Sequence, residues 1–281
     1  MNQYEQKDTI LHAENVSVVY GEKTIIKDIN FLERDTVRPG KVQGQVIAFL
    51  GRSGRGKSTL FRVITGLNKP TTGSVLIPDV TKKPIDGKIP AKDVAEGDVG
   101  FVDQKYTLFR HKTVYQALTY AMRNTTLSKA DKHDKIMRYL AEWGLEKAKD
   151  QYPNELSGGQ RQRTAILEQL LNSGHYIVMD EPFSGLDIGN ILNVKTAFRL
   201  INESHDLNTI IFSTHDIELA VELADSLYVI GYPRNADGKL ESYGTILHHY
   251  DLKQMGIAWQ DGFNERHREL AEEVKQALLS S

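Results

Sequence analysis

The stretch Gly51-Arg52-Ser53-Gly54-Arg55-Gly56-Lys57-Ser58-Thr59 constrains this chain more than any other feature. It follows the apolar run Val46-Ile47-Ala48-Phe49-Leu50 and precedes a helix-like segment, so the order is strand, glycine-rich loop, helix. Glycines let consecutive backbone N–H groups turn inward around an anion, and the helix N-terminus adds unpaired donors and the positive end of its dipole. In such a cradle Lys57 reaches the β- and γ-phosphates of a nucleotide, and the Ser58 hydroxyl ligates magnesium. A tight turn that happens to carry a lysine is the bland alternative, and the flanking strand and helix argue against it.

A phosphate loop of this kind belongs to an α/β sheet, and the rest of the chain reads accordingly. Residues 10–20 read as a strand ending at Gly21, and Thr24 to Phe31 as its hairpin partner, which makes an antiparallel β portion at the N-terminal end. Tyr20 sits at the strand end, where position alone supports core packing and stacking on a base equally. A polar stretch with Arg38-Pro39-Gly40 reads as a turn. Thr59 to Leu67 form a short helix, Gly73 to Ile77 a strand, residues 78–98 an exposed loop or small hairpin, and 98–102 a strand that delivers Gln104. Farther on, His175 to Met179, Asn208 to Ser213 and Leu227 to Ile230 are strands separated by helices over Ile188–Ser204 and Ile217–Ala224. Strands alternating with helices imply a mostly parallel sheet covered on both faces.

Between these halves the pattern turns helical. Thr113 to Asn124 places Val114, Leu118 and Ala121 on one face, and Ser128 to Trp143 does the same with Ile136, Tyr139, Leu140 and Trp143, with Ser128 as a cap. The stripe reads as core. A helical block inserted into an α/β unit reads as a subdomain. A final helix is expected over Asn264–Leu279, with Leu270, Val274 and Leu278 at four-residue steps, covering an edge or meeting a partner.

Three further groups carry chemistry. Asp180 and Glu181 end the buried strand, and ligands of open α/β sheets sit beyond the carboxyl ends of their strands. Asp180 can hold magnesium there, usually through water, and Glu181 can orient or deprotonate an attacking water. His215 follows the strand through Thr214 and can donate to a γ-phosphate. Leu156-Ser157-Gly158-Gly159-Gln160 opens a helix with Ser157 as natural N-cap, and its two glycines leave the N-terminus bare enough for a second phosphate to approach. One loop does not wrap a nucleotide from both sides, so the second site points to a two-molecule arrangement.

Composition narrows the partners. The 281 residues carry 35 Lys+Arg against 37 Asp+Glu, without the basic excess of a nucleic-acid or anionic-lipid surface, so no nucleic-acid partner is expected. There is no cysteine, hence no disulfide, thiolate metal site or cysteine nucleophile, which fits a cytosolic setting. The N-terminal residues lack the apolar core of a signal peptide, and no stretch approaches the ~20 apolar residues of a membrane span.

The assembled set resembles the ATP-binding subunit of ABC transporters. Gly51 to Thr59 is similar to Walker A, Leu156 to Gln160 matches the family signature letter for letter, and Tyr176 to Glu181 resembles Walker B with its glutamate. Ser184-Gly185-Leu186-Asp187 is similar to the D-loop, Gln104 to the Q-loop glutamine, His215 to the switch histidine and Tyr20 to the aromatic that stacks on adenine. Glu168, where the family generally has arginine, and Arg110, often proline, depart from the pattern, and the segments at 31–45 and 78–98 look long.

The resemblance implies a P-loop NTPase with a nucleotide-binding unit over residues 1–245, a helical subdomain at about 105–170 and a tail over 246–281. It implies ATP and Mg²⁺, with Ser58, Gln104 and Asp180 at the metal and Glu181, His215 and Gln104 in catalysis. Tyr20, the loop from Gly51 to Thr59, Ser157, Gly158, Gly159, Gln160 and Asp187 would bind nucleotide, the signature residues acting on the nucleotide of a second subunit in a head-to-tail dimer. A transmembrane permease would dock near Lys105 to Phe109 on the cytoplasmic face of the membrane. Among importers the resemblance is to the nitrate or sulfonate type. A soluble ABC-type ATPase regulating a protein or nucleic-acid machine is the alternative, and a P-loop kinase or GTPase would lack the signature.

Overall fold

The computed structural model describes residues 5–38, 40–85, 88–173, 175–258, 260 and 262–279. Among these the strands fall into two sheets. The first is antiparallel and built from β1 (Glu5–Tyr20), β2 (Lys23–Val37), β4 (Thr72–Pro78) and β5 (Ala91–Asp93), in the order β2-β1-β4-β5. The second contains β3 (Gln45–Leu50), β6 (Gly100–Val102), β7 (Tyr176–Met179), β8 (Thr209–Thr214), β9 (Ser226–Gly231) and β10 (Thr245–Asp251), in the order β10-β9-β3-β8-β7-β6. Every pairing in it is parallel except β10 with β9. The expected mostly parallel sheet with an antiparallel β portion is therefore what the chain forms.

β3 shows why the second sheet is buried on both faces. Its residues alternate between two apolar clusters: Val46, Ala48 and Leu50 join one, Ile47 and Phe49 the other, and all five are at most 3% exposed. A continuous apolar run of this kind is the signature of a strand covered from both sides. On one face lie the first sheet and α1 (Lys57–Ile64), with Phe31 and Phe61 packed edge-on to Phe49 at 5.4 and 5.6 Å. The opposite face carries α2 (Val114–Ala121), α3 (Lys129–Glu142), α4 (Gly158–Ser173), α5 (Ile188–Ser204), α6 (Ile217–Leu223) and α7 (Glu265–Leu279).

The helical block forms as its periodicity predicts. Thr113 closes a capping box with Gln116 on α2, and Ser128 caps α3 through the Asp131 N–H. Val114, Leu118, Ala121, Ile136, Leu140 and Trp143 are buried in the same cluster as the sheet. Two segments run farther as strand than their letters suggest. β2 continues to Val37 through Glu33 and Asp35, both buried, so part of the expected insertion is sheet; Pro39 of the expected turn lies outside the described residues. Residues 245–251 add β10 to the edge of the second sheet, before α7 buries Leu270, Val274 and Leu278 in the common core.

Candidate functional site

The parallel strands bring their carboxyl ends to one edge, and the loops beyond β3, β6, β7 and β8 converge there. After Leu50 the chain turns through Gly54 and Gly56, at φ +80° and +92°, and enters α1 at Lys57. Glycine is required at Gly56: the positive φ is costly for other residues, and a Cβ would stand 2.3 Å from Ile26 Cγ2. The loop is also held from outside. Gly244 packs so closely that a Cβ on it would lie 2.0 Å from Arg55 O. Tyr232 donates its hydroxyl to Gly54 O at 3.1 Å and takes the Arg55 guanidinium over its ring at 3.7 Å.

Lys57 is only 5% exposed, and its ammonium donates to Gly51 O at 2.6 Å and Arg52 O at 3.3 Å. A third partner is the carboxylate of Glu181, with Oε1 at 3.2 Å. Across the cleft, Asp180 and Glu181 are oriented by one side chain, Ser213 at the end of β8. Its hydroxyl donates to Asp180 Oδ1 at 2.6 Å and accepts the Glu181 N–H at 2.9 Å. Glu181 adopts φ +50°, and its Oε2 hydrogen-bonds His215 Nδ1 at 2.9 Å.

Lys57, Asp180, Glu181 and His215 line a cavity of about 430 Å³ together with Ser53, Gly54, Gly56, Ser58, Thr59 and Gln104. Ile25 and Ser184 complete its walls. Segments more than 150 residues apart in sequence, from Ser53 to His215, thus meet around one space. The cavity floor is a buried cation beside backbone N–H groups at a helix N-terminus, an arrangement suited to phosphate oxygens. Ser58, Gln104 and Asp180 offer oxygen donors, the kind a hard cation such as Mg²⁺ takes alongside phosphates. Glu181, between Lys57 and His215, presents to the cavity a carboxylate of the kind that can accept a proton.

Other expected residues lie elsewhere. Ser157, Gly158, Gly159 and Gln160 stand at the start of α4, outside this cavity, where Ser157 Oγ accepts the Gln160 N–H at 3.2 Å and Gln160 Oε1 accepts the Ser157 N–H at 2.9 Å. Ser157 and Gly158 are exposed. Asp187 is exposed at the entrance to α5, its carbonyl accepting the Ile191 N–H. Tyr20 is 52% exposed, accepts a hydrogen bond from Asn68 Nδ2 at 2.7 Å and does not line the cavity. Gly51, Arg52 and Arg55 do not line the cavity. Ser213 carries no motif in the sequence; its one signal is its place at the carboxyl end of a buried strand, beside the acidic pair's strand.

A family model described as ABC transporter matches residues 40–184, more than half of the chain. The chain is 34% identical over 237 residues to the sulfate/thiosulfate import ATP-binding protein CysA of Synechocystis sp., covering 84% of this chain and 61% of that protein. It is 37% identical over 217 residues to the sulfate/thiosulfate import ATP-binding protein CysA 1 of Agrobacterium fabrum, covering 74% and 58%. The chain thus spans about six-tenths of the length of these curated relatives, whose names carry sulfate and thiosulfate rather than nitrate or sulfonate. Among solved structures, cbiO1 from Clostridium perfringens, part of the ABC transporter complex cbiONQ, matches with a TM-score of 0.69 at 24% identity over 98% of both chains. An ATP-binding subunit of an ABC transporter matches at 0.68 and 21% identity, over 96% of this chain and 100% of that one, so the fold is shared. Because the family match runs from before the phosphate loop to past Glu181 and takes in more than half of the residues, the chain belongs to the ABC transporter family.

Proposed function

We propose that this chain binds ATP with Mg²⁺ and hydrolyses it to power solute import. The observation that supports this most is the convergence of Lys57, Asp180, Glu181, His215 and Gln104 on one cavity, with Ser157 and Gly158 exposed outside it. Lys57 and the loop N–H groups hold the β- and γ-phosphates. Ser58, Gln104 and Asp180 would hold Mg²⁺, which when bound neutralises charge on those phosphates. Glu181 accepts a proton from the attacking water as the water oxygen bonds to the γ-phosphorus. The bond from that phosphorus to the bridging oxygen breaks, leaving ADP and inorganic phosphate. His215 orients Glu181 and donates to the γ-phosphate.

The signature residues close over the nucleotide of a second copy, in a head-to-tail dimer with Ser157, Gly158, Gly159, Gln160 and Asp187 at the interface and Tyr20 against the base. The nucleotide-binding unit covers residues 1–245, with the helical subdomain at about 105–170 and the tail from 246 to 281. A permease is the membrane partner, met at the cytoplasmic face; no helix among the described residues is long and apolar enough to cross a membrane. The import names of the relatives favour transport over a soluble regulatory ATPase, and sulfate or thiosulfate as the class of solute.

The test uses two variants. Glu181→Gln is expected to bind Mg-ATP normally, to slow turnover by roughly 10²–10⁴-fold and to accumulate as a dimer in light scattering. Ser157→Arg is expected to bind ATP as a monomer and not to dimerise. Wild-type turnover in the first variant overturns the base, and an undiminished ATP-induced dimer in the second overturns the sandwich.

A further inference from the structure

Two of the four non-glycine residues with positive φ among the described residues are Tyr106, at +49°, and Glu181, at +50°. The other two, Asn15 and Asp28, belong to types that accept this conformation readily; a tyrosine and a glutamate do not. Glu181 also precedes Pro182, which crowds its backbone further. Something must hold this turn, and the hydrogen bonds show what does. The Glu181 N–H goes to Ser213 Oγ, and its carbonyl accepts the Ser184 N–H at 3.1 Å. The next carbonyl, that of Pro182, accepts the Tyr106 hydroxyl at 2.8 Å and Gln162 Nε2 at 3.2 Å. The two donors are themselves joined, Gln162 Nε2 donating to the Tyr106 oxygen at 2.5 Å.

We propose that Tyr106 and Gln162 are positioning residues, which hold the Pro182 carbonyl and through it the left-handed turn that aims Glu181. The proposal rests on the reading of Glu181 as the base. Tyr106 lies two residues after Gln104, and Gln162 lies on α4 five residues after Ser157, so one carbonyl oxygen ties together three segments. Gln162 is 2% exposed, and Asp103 fixes the Tyr106 turn by accepting the N–H groups of Lys105 and Thr107 at 3.1 and 3.2 Å. A shift of α4 or of the segment after Gln104 therefore reaches Glu181 directly. Burial pushes the Tyr106 hydroxyl up to about 12, so it remains a donor through the whole neutral range.

Tyr106→Phe removes one oxygen and keeps the ring. Its expected effect is a fall in kcat of about tenfold, with KM for ATP and the nucleotide Kd within twofold of wild type. Gln162→Leu should do the same, and the double variant should lose less than the product of the two, because both act on one carbonyl. In a Glu181→Gln background, Tyr106→Phe should leave the residual rate unchanged, an outcome that a general loosening of the core would not produce. A wild-type kcat in Tyr106→Phe overturns the proposal, as does a further loss in the Glu181→Gln background. Failure of the underlying reading shows separately, as wild-type protein without ATP turnover or as full turnover in Glu181→Gln alone.

Discussion

His215 Nδ1 stands 2.9 Å from Glu181 Oε2, and the second oxygen of the same carboxylate lies 3.2 Å from Lys57 Nζ. The carboxylate is thus gripped from both sides, by a cation only 5% exposed and by an imidazole 60% exposed. Lys57 belongs to the phosphate loop, and its proposed role is in binding. His215 is at the rim and touches the proposed base, so its loss should act on chemistry. His215→Ala is expected to lower kcat for ATP hydrolysis by on the order of 10²-fold while KM stays close to wild type. Steady-state kinetics check this, and a large rise in KM with kcat intact would assign the histidine to binding instead.

How much of this was legible in the sequence depends on whether the chemistry is contiguous. Gly51 to Thr59, Leu156 to Gln160 and Asp180-Glu181 are runs of adjacent letters at element ends, and the element ends follow from hydrophobic periodicity. The Ser213 bridge and the Tyr106–Gln162–Pro182 junction join residues 20 to 76 positions apart, and no local pattern announces such meetings. β10 was hidden for another reason. Its letters, Thr-Ile-Leu-His-His-Tyr-Asp, lack a clean alternation, because an edge strand is half solvated and takes its conformation from pairing with β9. The end of β2 was obscured by Glu33 and Asp35, charged residues that pattern reading places outside and that the fold buries.

Gly244 lies far from the phosphate loop in sequence, yet a Cβ there would stand 2.0 Å from Arg55 O. The strand side cannot yield, because Gly244 N–H donates to Ile25 O at 2.9 Å and its carbonyl accepts the Lys27 N–H at 3.0 Å. Displacement then falls on the loop itself. Gly244→Ala is expected to weaken Mg-ATP binding by tenfold or more, with an overpacking cost of about 1–3 kcal/mol in stability. Fluorescent-nucleotide titration checks it, and unchanged affinity would show that the loop absorbs the methyl group without losing its shape.

Glu168 supplies a pH dependence with a definite sign. It lies on α4, 8% exposed, and burial pushes its carboxyl up to about 7 from an ordinary 4.5, with Arg123 pulling in the opposite direction. A carboxyl raised on folding binds its proton more tightly in the native state. Its contribution is therefore most favourable below pH 4.5 and is lost as pH rises toward 7. Glu168→Gln keeps the shape without the charge. The variant should match wild type near pH 4.5 and gain on the order of 2 kcal/mol over it by pH 8, the difference developing between those limits. Urea unfolding at several pH values measures this, and parallel stability curves for the two proteins would rule it out.

The tail from residue 246 offers the last test, because contacts of its described residues bind it into the body of the protein. β10 covers the edge of β9, and Leu252, Ile257, Leu270 and Val274 share the core cluster of the central sheet. Lys253, 5% exposed, donates to Ser226 Oγ at 3.0 Å and stands 3.9 Å from the buried Glu33 and 3.7 Å from Asp251. Asp225 is buried beside them, its carboxyl pushed up to about 7 by burial and drawn down by Lys253. Removing the tail would bare the β9 edge and strip the cation from a buried acidic group, and an uncompensated buried charge costs about 3–5 kcal/mol. Truncation after residue 245 is expected to give an aggregating chain. The milder Lys253→Met should remain folded but lose about 3 kcal/mol in urea unfolding. A truncated protein that stays monomeric and unfolds at the wild-type midpoint would show instead that residues 1–245 fold without support from the tail.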